Sequence, residues 1–288
     1  MAITAATGTL ALGLAACGGS ADEGAKAKPS QSSAKSEKKE VPPAEALRAA
    51  TKAAVEQAAA KVAVDSVDPK EGNTKAEGTL SWKKGSEGAE LSMDPGSDAD
   101  MKDMAGEDGK VHMTITDGAV YLPIEGEMAA AANGKKWLKF DATAAEDNPA
   151  KDMPHGPVQA LAALSIAGDL AKAGEEQVDG AQATHYTGTV DIAKFAADSS
   201  VLDLITKDER DAYVAELKDT GIKNSVKIEA WVGADDLTVK TMESGSTAKG
   251  PAKLTITYSD YGQTSAVTVP PAKDVTTLAE MLKSAAQG

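Results

Sequence analysis

The residue pattern predicts an α+β domain, one large antiparallel sheet with helices gathered on one face. Three observations predict it. Short runs of two-residue alternation recur from residue 61 onward, each closed by a turn signal. A few longer segments carry helical spacing instead, one of them apolar nearly all round. No repeat of fixed short period runs through the chain, and strands interleaved with grouped helices pack most economically as a single sheet covered on one side.

Taken in order, residues 43–60 (PAEALRAATKAAVEQAAA) place Leu47, Thr51, Ala54, Val55 and Ala58 on one helical stripe, with Pro43 suited to the first turn. The period then changes to two. Strands are predicted at 61–67, 79–82, 89–93, 111–115, 119–122 and 137–140. They are punctuated by Lys84-Gly85, Asp94-Pro95-Gly96, Asp117-Gly118 and Asn133-Gly134. Asp117-Gly118 between two alternating runs is the signal of a two-residue hairpin.

Residues 157–173 (PVQALAALSIAGDLAKA) read as a helix with Val158, Leu161, Leu164, Ile166 and Leu170 spread around it. A helix without a polar face must be enclosed or must face something apolar. Strands resume over 175–191. A helical excursion follows at 192–219, where Thr206 and Glu209 stand in capping-box spacing. A second meander is expected at 226–232, 238–243, 254–258 and 265–269. A closing helix then opens on Thr277 and Glu280, with Leu278, Met281 and Leu282 on one face.

The amino-terminal part has a different character. Nothing before Cys17 is charged, and residues 10–16 (LALGLAA) form an apolar run too short to span a bilayer as a mature helix. Residues 1–16 therefore read as an export signal. Its positive opening region is missing, so the natural start is expected upstream. Leu14-Ala15-Ala16-Cys17 resembles the bacterial lipobox, which implies cleavage before Cys17 and acylation of its thiol, palmitate being a typical chain. Cys17 is the sole cysteine, so it has no disulfide partner in the chain. A buried free thiol is the competing reading, but no apolar core surrounds it in sequence. Residues 17–43 hold mainly Ser, Ala, Lys, Glu, Gly and Pro, a composition that cannot offset the entropy of ordering, and read as a tether. The folded domain is expected over 44–288.

Charge narrows the partners. Five lysines face Asp22, Glu23, Glu37 and Glu40 in the tether, so the chain's net charge of −14 resides in the domain. Such acidity disfavours nucleic acid and anionic headgroups. Aromatics make up 3 % of residues. The core must then come from Leu, Val, Ile, Ala and Met, and is expected to be modest or to leave space inside.

Several segments carry a family resemblance. GEEQVDGAQATHYTGTVD (174–191), EAWVGADDLTVK (229–240) and ITYSDYGQTSAVTVPPAKDV (256–275) resemble the actinobacterial LppX/LprG-type lipoproteins, and DGAVYLP (117–123) with GKKWLKFD (134–141) looks like that family's strand pair. Their order and spacing, more than any one motif, make the case. The resemblance implies a LolA-like fold, a single curved antiparallel half-barrel with helices packed on its concave face. It also implies an exported protein anchored to the extracytoplasmic face of the cell membrane, a monomer that carries a lipid or acylated glycolipid and meets an envelope transporter.

Candidate sites follow. For ligand contact the residues are Val158, Leu161, Leu164 and Ile166 on the middle helix, and Val120, Leu122, Leu138 and Ile228 on strands; the same side chains would equally make a filled core. A filled core would suit a non-catalytic interaction or sensor module. His112, His155 and His185 are the only histidines. None sits beside a motif serine, no metal-protease or phosphate-loop spacing occurs, and no cofactor is indicated, so the reading is not an enzyme. Met93, Met101, Met104, Met113 and Met153 with His112 and His155 form a Met/His set that would suit Cu(I), or else apolar filling. Asp98, Asp100 and Asp103 lack the glycine and distal glutamate of a calcium loop.

Overall fold

The computed structural model describes residues 41–69, 72–96, 99–125, 128–141, 156–263 and 267–285. The signal, Cys17, most of the tether, Asp98, Met153 and His155 lie outside them. No described helix is long and apolar enough to cross a membrane.

Two meanders meet at one seam. The first is β1 (Ala59–Asp68), β2 (Gly72–Ser81), β3 (Gly88–Met93), β4 (Val111–Thr116), β5 (Ala119–Pro123) and β6 (Trp137–Asp141). The second is β7 (Ala171–Val178), β8 (Ala181–Asp191), β9 (Ser225–Gly233), β10 (Thr238–Thr247) and β11 (Gly250–Ser259). Within each, chain neighbours pair antiparallel. β1 then pairs antiparallel with β11, from Lys61 opposite Ser259 to Val67 opposite Lys253, and so joins the halves. β12 (Val275–Thr277) lies parallel to β6, with Val275 opposite Trp137. The described residues thus form one sheet in the order β12-β6-β5-β4-β3-β2-β1-β11-β10-β9-β8-β7. It is open and curved, and it does not close into a barrel.

Turn chemistry accounts for the hairpins. Asp117 and Gly118 have φ of 53° and 66°, and Asp179 and Gly180 have 48° and 84°. Left-handed values at both central residues belong to the primed turn whose twist matches the strands it joins.

Helix α1 (Pro43–Gln57) stops earlier than its alanines suggest. Ala58 turns left-handed at φ 60° and its N–H donates back to the Ala54 carbonyl, and β1 begins at the next residue. Leu47, Ala50, Thr51 and Ala54 are buried, whereas Val55, expected on the same stripe, is half exposed beside the helix end. The middle helix α4 (Pro157–Leu164) is only half its expected length. The Ser165 hydroxyl donates to the Ala162 carbonyl at 2.7 Å, and Asp169 accepts the Thr189 N–H at 2.6 Å, turning the chain into β7. Polar side chains that bond nearby backbone compete with helix in this way. The expected enclosure holds, because every α4 residue except Gln159 is buried. Gly188 on β8 permits this: a Cβ there would lie 2.8 Å from the Ala167 Cβ and 3.0 Å from a Leu164 methyl.

The excursion resolves into α5 (Ile192–Ala197), capped by Asp191, and α6 (Lys207–Asp219), whose capping box is complete: Thr206 N–H donates to Glu209 Oε2 at 2.6 Å and Glu209 N–H to Thr206 Oγ1 at 3.2 Å. Short helices α2 (Ala99–Asp103) and α3 (Met128–Ala131) interrupt the first meander. Helix α7 (Leu278–Ala285) starts from the predicted Thr277/Glu280 exchange. Of its expected face, Met281 is buried, but Leu278 and Leu282 are exposed, because this short helix touches the sheet margin along one line only. The strand expected at 265–269 is not formed by residues 267–269, where Pro270 and Pro271 follow and lack ladder donors; β12 takes the sheet edge instead.

α1, α4, α5 and α6 share one core with β8–β11, centred on Leu47, Leu161, Leu164, Phe195, Val226 and Ile228. A second core lines β1–β3 and β11, with Val62, Leu80, Leu91 and Ile256. Two small ones serve β4–β5 and the β6–α7 margin.

Thr206→Ala should lower unfolding free energy by about 1 kcal/mol, read from urea titration, since it removes a side-chain N-cap. Hydrogen bonding from the Thr189 N–H holds the Asp169 carboxyl below its usual range. Its contribution is therefore present above the unfolded value of about 3.9 and is lost as pH falls through the lower folded value. Asp169→Ala should lower the urea midpoint at about pH 7, and the gap between the two proteins should close in strong acid.

Candidate functional site

The helix layer does not cover the whole inner face. Along β1 the burial alternates: Ala60, Val62 and Val64 are buried, while Lys61, Ala63 and Asp65 are exposed, so the first set faces the core side. Where α6 ends, the second core's strands continue past it. A groove of about 320 Å³ opens there. One wall is sheet: Val64 on β1, Ala76 on β2, Leu91 and Met93 on β3, Met113 and Ile115 on β4, and Ala252 and Leu254 on β11. The other is Leu217 and Thr220 at the end of α6, with Ile222 just beyond. Its volume sits at the lower end of the range of small-ligand sites.

Polar groups gather at the α6 side. Glu216 and Glu243 both line the groove, and the Tyr213 hydroxyl donates to Glu243 Oε2 at 2.7 Å. Tyr258 lies nearby, its oxygen 3.3 Å from Thr241 Oγ1. Burial, reinforced by the two glutamates, pushes the Tyr213 and Tyr258 hydroxyls well above their ordinary value, so both stay neutral.

The eight residues expected to touch ligand are placed elsewhere. Val158, Leu161, Leu164 and Ile228 lie inside the helix-covered core, with Ile166 against it; Val120 and Leu122 belong to the β4–β5 core and Leu138 to the β6–α7 margin. The structure distributes them over three packed clusters, and none lines the groove. The residues that do line it carry an inward strand alternation visible in sequence. α6 stops at Asp219, where the helical excursion was expected to end, but the sequence does not reveal which inward side chains of the sheet lie beside that end.

Met101, Met104 and Met113 pack against the Val111, Ile115, Val120 and Leu122 cluster, and Met93 and Met113 also face the groove. His112 Nε2 lies 2.9 Å from Asp108 Oδ2. No metal-holding group of three or more His, Cys, Asp or Glu occurs among the described residues. Asp103 ends α2.

A larger concavity, about 870 Å³, lies on the outward face, where Lys61, Glu77, Asp179, Asp235 and Asp260 surround it. Its charged rim suits an apolar ligand less well than the groove does. On the same face His185 stacks on Trp231 with centroids 4.2 Å apart and Lys240 Nζ sits 4.3 Å from that ring's centroid. Glu176 accepts the Trp231 indole N–H at 3.0 Å and lies 3.0 Å from His185 Nδ1. The indole bond is the chief reason the Glu176 carboxyl stays below its usual range. The His185 side chain is largely buried, and its Nε2 lies 3.3 Å from Glu229 Oε1.

No family model matches the chain. A Streptomyces griseus protein, described as an uncharacterized 31.2 kDa protein in the rplA-rplJ intergenic region, is 34 % identical over 218 residues, covering 73 % of this chain and 70 % of that one. A Streptomyces coelicolor protein described as "Putative lipoprotein SCO4650" is 28 % identical over 252 residues, covering 84 % and 78 %. Among solved structures, the Mycobacterium tuberculosis lipoprotein LppX aligns with a TM-score of 0.42 at 13 % identity, covering 77 % of this chain and 98 % of that one.

Proposed function

The chain belongs to the family of the Streptomyces griseus 31.2 kDa protein, and from that premise we propose that it is an exported envelope lipoprotein, anchored through an acylated Cys17, whose groove holds the apolar part of a lipid. The observation that carries the reading is the groove lined mainly by apolar side chains between the inner sheet and the end of α6. Water against Val64, Leu91, Met113, Ile115 and Leu254 is unfavourable, and each methylene laid there would contribute up to about 0.8 kcal/mol. The lipobox at Leu14–Cys17, the description of the Streptomyces coelicolor relative as a lipoprotein and the segments resembling LppX/LprG-type lipoproteins support the envelope setting. The acidic domain keeps the body soluble and away from anionic headgroups while the tether holds it near the bilayer. The reading needs no catalytic step: the groove shields acyl chain from water, and carriage follows from release.

Cys17→Ser should move the protein from the membrane fraction to the soluble fraction of an actinobacterial host, seen by immunoblot. The same soluble full-length variant, analysed by native mass spectrometry, should carry added mass that organic extraction removes. Ala76→Trp, which fills the groove, should lose that mass and the uptake of a fluorescent fatty acid while keeping its melting temperature within a few degrees. A clean apo mass together with no fatty-acid uptake would defeat the lipid reading in favour of an interaction module with a filled core.

A further inference from the structure

One end of the second meander carries charge opposite in sign to the rest of the domain. On the outward face there, a concavity of about 480 Å³ is lined by Thr189 on β8, Ser225 and Lys227 on β9, Ser244 and Ser246 on β10, and Lys223 in the turn before β9. Strand register brings these together, since Lys227 stands opposite Thr189 on one side and Ser244 on the other. Buried Val226 and Ile228 alternate with exposed Ser225 and Lys227, so the polar set faces outward. No carboxylate lines this space, whereas the groove holds Asp68, Glu216 and Glu243 and the larger outward concavity Glu77, Asp179, Asp235 and Asp260. Acids on neighbouring residues are engaged: Glu229 with Lys227 at 3.0 Å, Asp191 with the Lys194 N–H and Asp169 with the Thr189 N–H. Among the described residues, Lys223 Nζ and the hydroxyls of Ser225, Ser244 and Ser246 have no partner within the chain. Lys249, exposed beside the lining residue Ala248, adds a third cation in the next turn.

Two other features share this end. The groove reaches it, for Thr220 and Ile222 just before Lys223 line the groove together with Gly72 of the β1–β2 turn. Helix α1 also starts toward it: the chain reverses into β1 at Ala58, and Arg48 in the first half of α1 pairs with Asp203 and donates to the Ser200 carbonyl, in the connection that follows β8 and α5. The described chain begins at Val41, 24 residues after Cys17. A flexible segment of that length spans about 27 Å on average. The geometry points to a docking site for the phosphates of anionic lipid headgroups, with Lys223, Lys227 and Lys249 supplying charge and Ser225, Ser244 and Ser246 supplying hydroxyl donors. The domain's remaining acidity is repelled by such a surface, so only this end can approach it. Charges more than about 8 Å away are largely screened at physiological salt, and the lysines in contact then dominate. Docked this way, the end of the groove at Gly72 and Thr220 faces the bilayer. The placement rests on the tether reading; headgroup binding itself does not.

The test uses the full-length Cys17→Ser protein, which lacks the anchor, in co-flotation with vesicles. Phosphatidylcholine vesicles should bind it weakly, and vesicles with about 30 % phosphatidylglycerol should bind it more tightly, with a steep loss on adding salt. A lysine at an anionic surface contributes about fivefold in binding, so Lys223→Gln/Lys249→Gln should weaken the anionic binding about twentyfold. Lys83→Gln/Lys84→Gln is the control: it changes net charge equally, on exposed residues of the β2–β3 turn at the opposite end of the sheet, and should change binding by less than about twofold. Equal losses in the two double variants would mean diffuse electrostatics and overturn the inference, as would the absence of any preference for anionic vesicles. Binding of inorganic phosphate that depends on Lys223, without vesicle binding, would make the ligand a free anion and overturn the docking. Fatty-acid uptake by the groove should be the same in all these proteins, so failure of the docking leaves the lipid reading standing, and loss of uptake in the parent protein would defeat that reading separately.

Discussion

The ladder between β1 and β11 is the constraint on which the rest of the molecule depends. These strands are separated by most of the domain's sequence, yet each residue from Lys61 to Val67 has a partner between Ser259 and Lys253. Without that seam there would be two separate meanders, each with one face of apolar side chains and no common layer to cover them. The seam also sets the helices. α1 runs straight into β1 through the left-handed Ala58, and Trp82, just past β2, donates its indole N–H to the Ala54 carbonyl at 2.9 Å. The helix is thereby fixed to the strand pair beside it, and α4 packs on that helix. Such distant pairing must overcome a large loop-closure entropy before it is rewarded, so folding is expected to wait on this contact.

The seam also explains why the inner face is covered unevenly. All four longer or buried helices gather over β8–β11, where Phe195, Tyr213, Leu161 and Ile228 make a close-packed interior. On the other side of β11 the cover ends at Thr220, and small or flexible side chains, Ala76, Met93, Met113 and Ala252, form the wall. Few aromatics are available to fill such a space. The scarcity that looked like a weakness of the core is concentrated in one place, and the helix-covered half is dense.

Much of this was legible in the residues, and the failures share a cause. Local signals worked well: Asp117-Gly118 is a primed turn, Thr206/Glu209 and Thr277/Glu280 cap their helices, and most strands of both meanders fall where alternation put them, although β2 begins well before the expected 79–82 and residues 267–269 form no strand. Composition misled where a tertiary bond decides. Residues 165–170 are as helix-compatible as their neighbours on apolar spacing, but Ser165 and Asp169 bind backbone and end α4. Leu278 and Leu282 have core spacing on a helix whose position at the sheet margin gives it little to cover. The candidate groove was the least legible part. Leu161 and Ile115 are equally apolar in sequence and both are buried, and only the tertiary packing determines that Ile115 also borders a groove. β12 was invisible because a three-residue parallel strand has no pattern of its own; its pairing with β6 is supported by Lys136 N–H donating to the Asp274 carbonyl at 2.8 Å.

An open sheet has two margins at which another chain could add a strand, and this one is protected at both. At one side β12 offers only three residues, followed at once by α7. At the other, β7 reads AKAGEEQV, with a register shift between Lys172 and Gly174 and charged Lys172, Glu175 and Glu176 along it. A bulge and charges of this sort discourage intermolecular pairing, where a long flat apolar margin would invite fibrils. The curvature that leaves side-chain space inside therefore does not leave backbone open to aggregation, and many copies could crowd on one surface without zipping together.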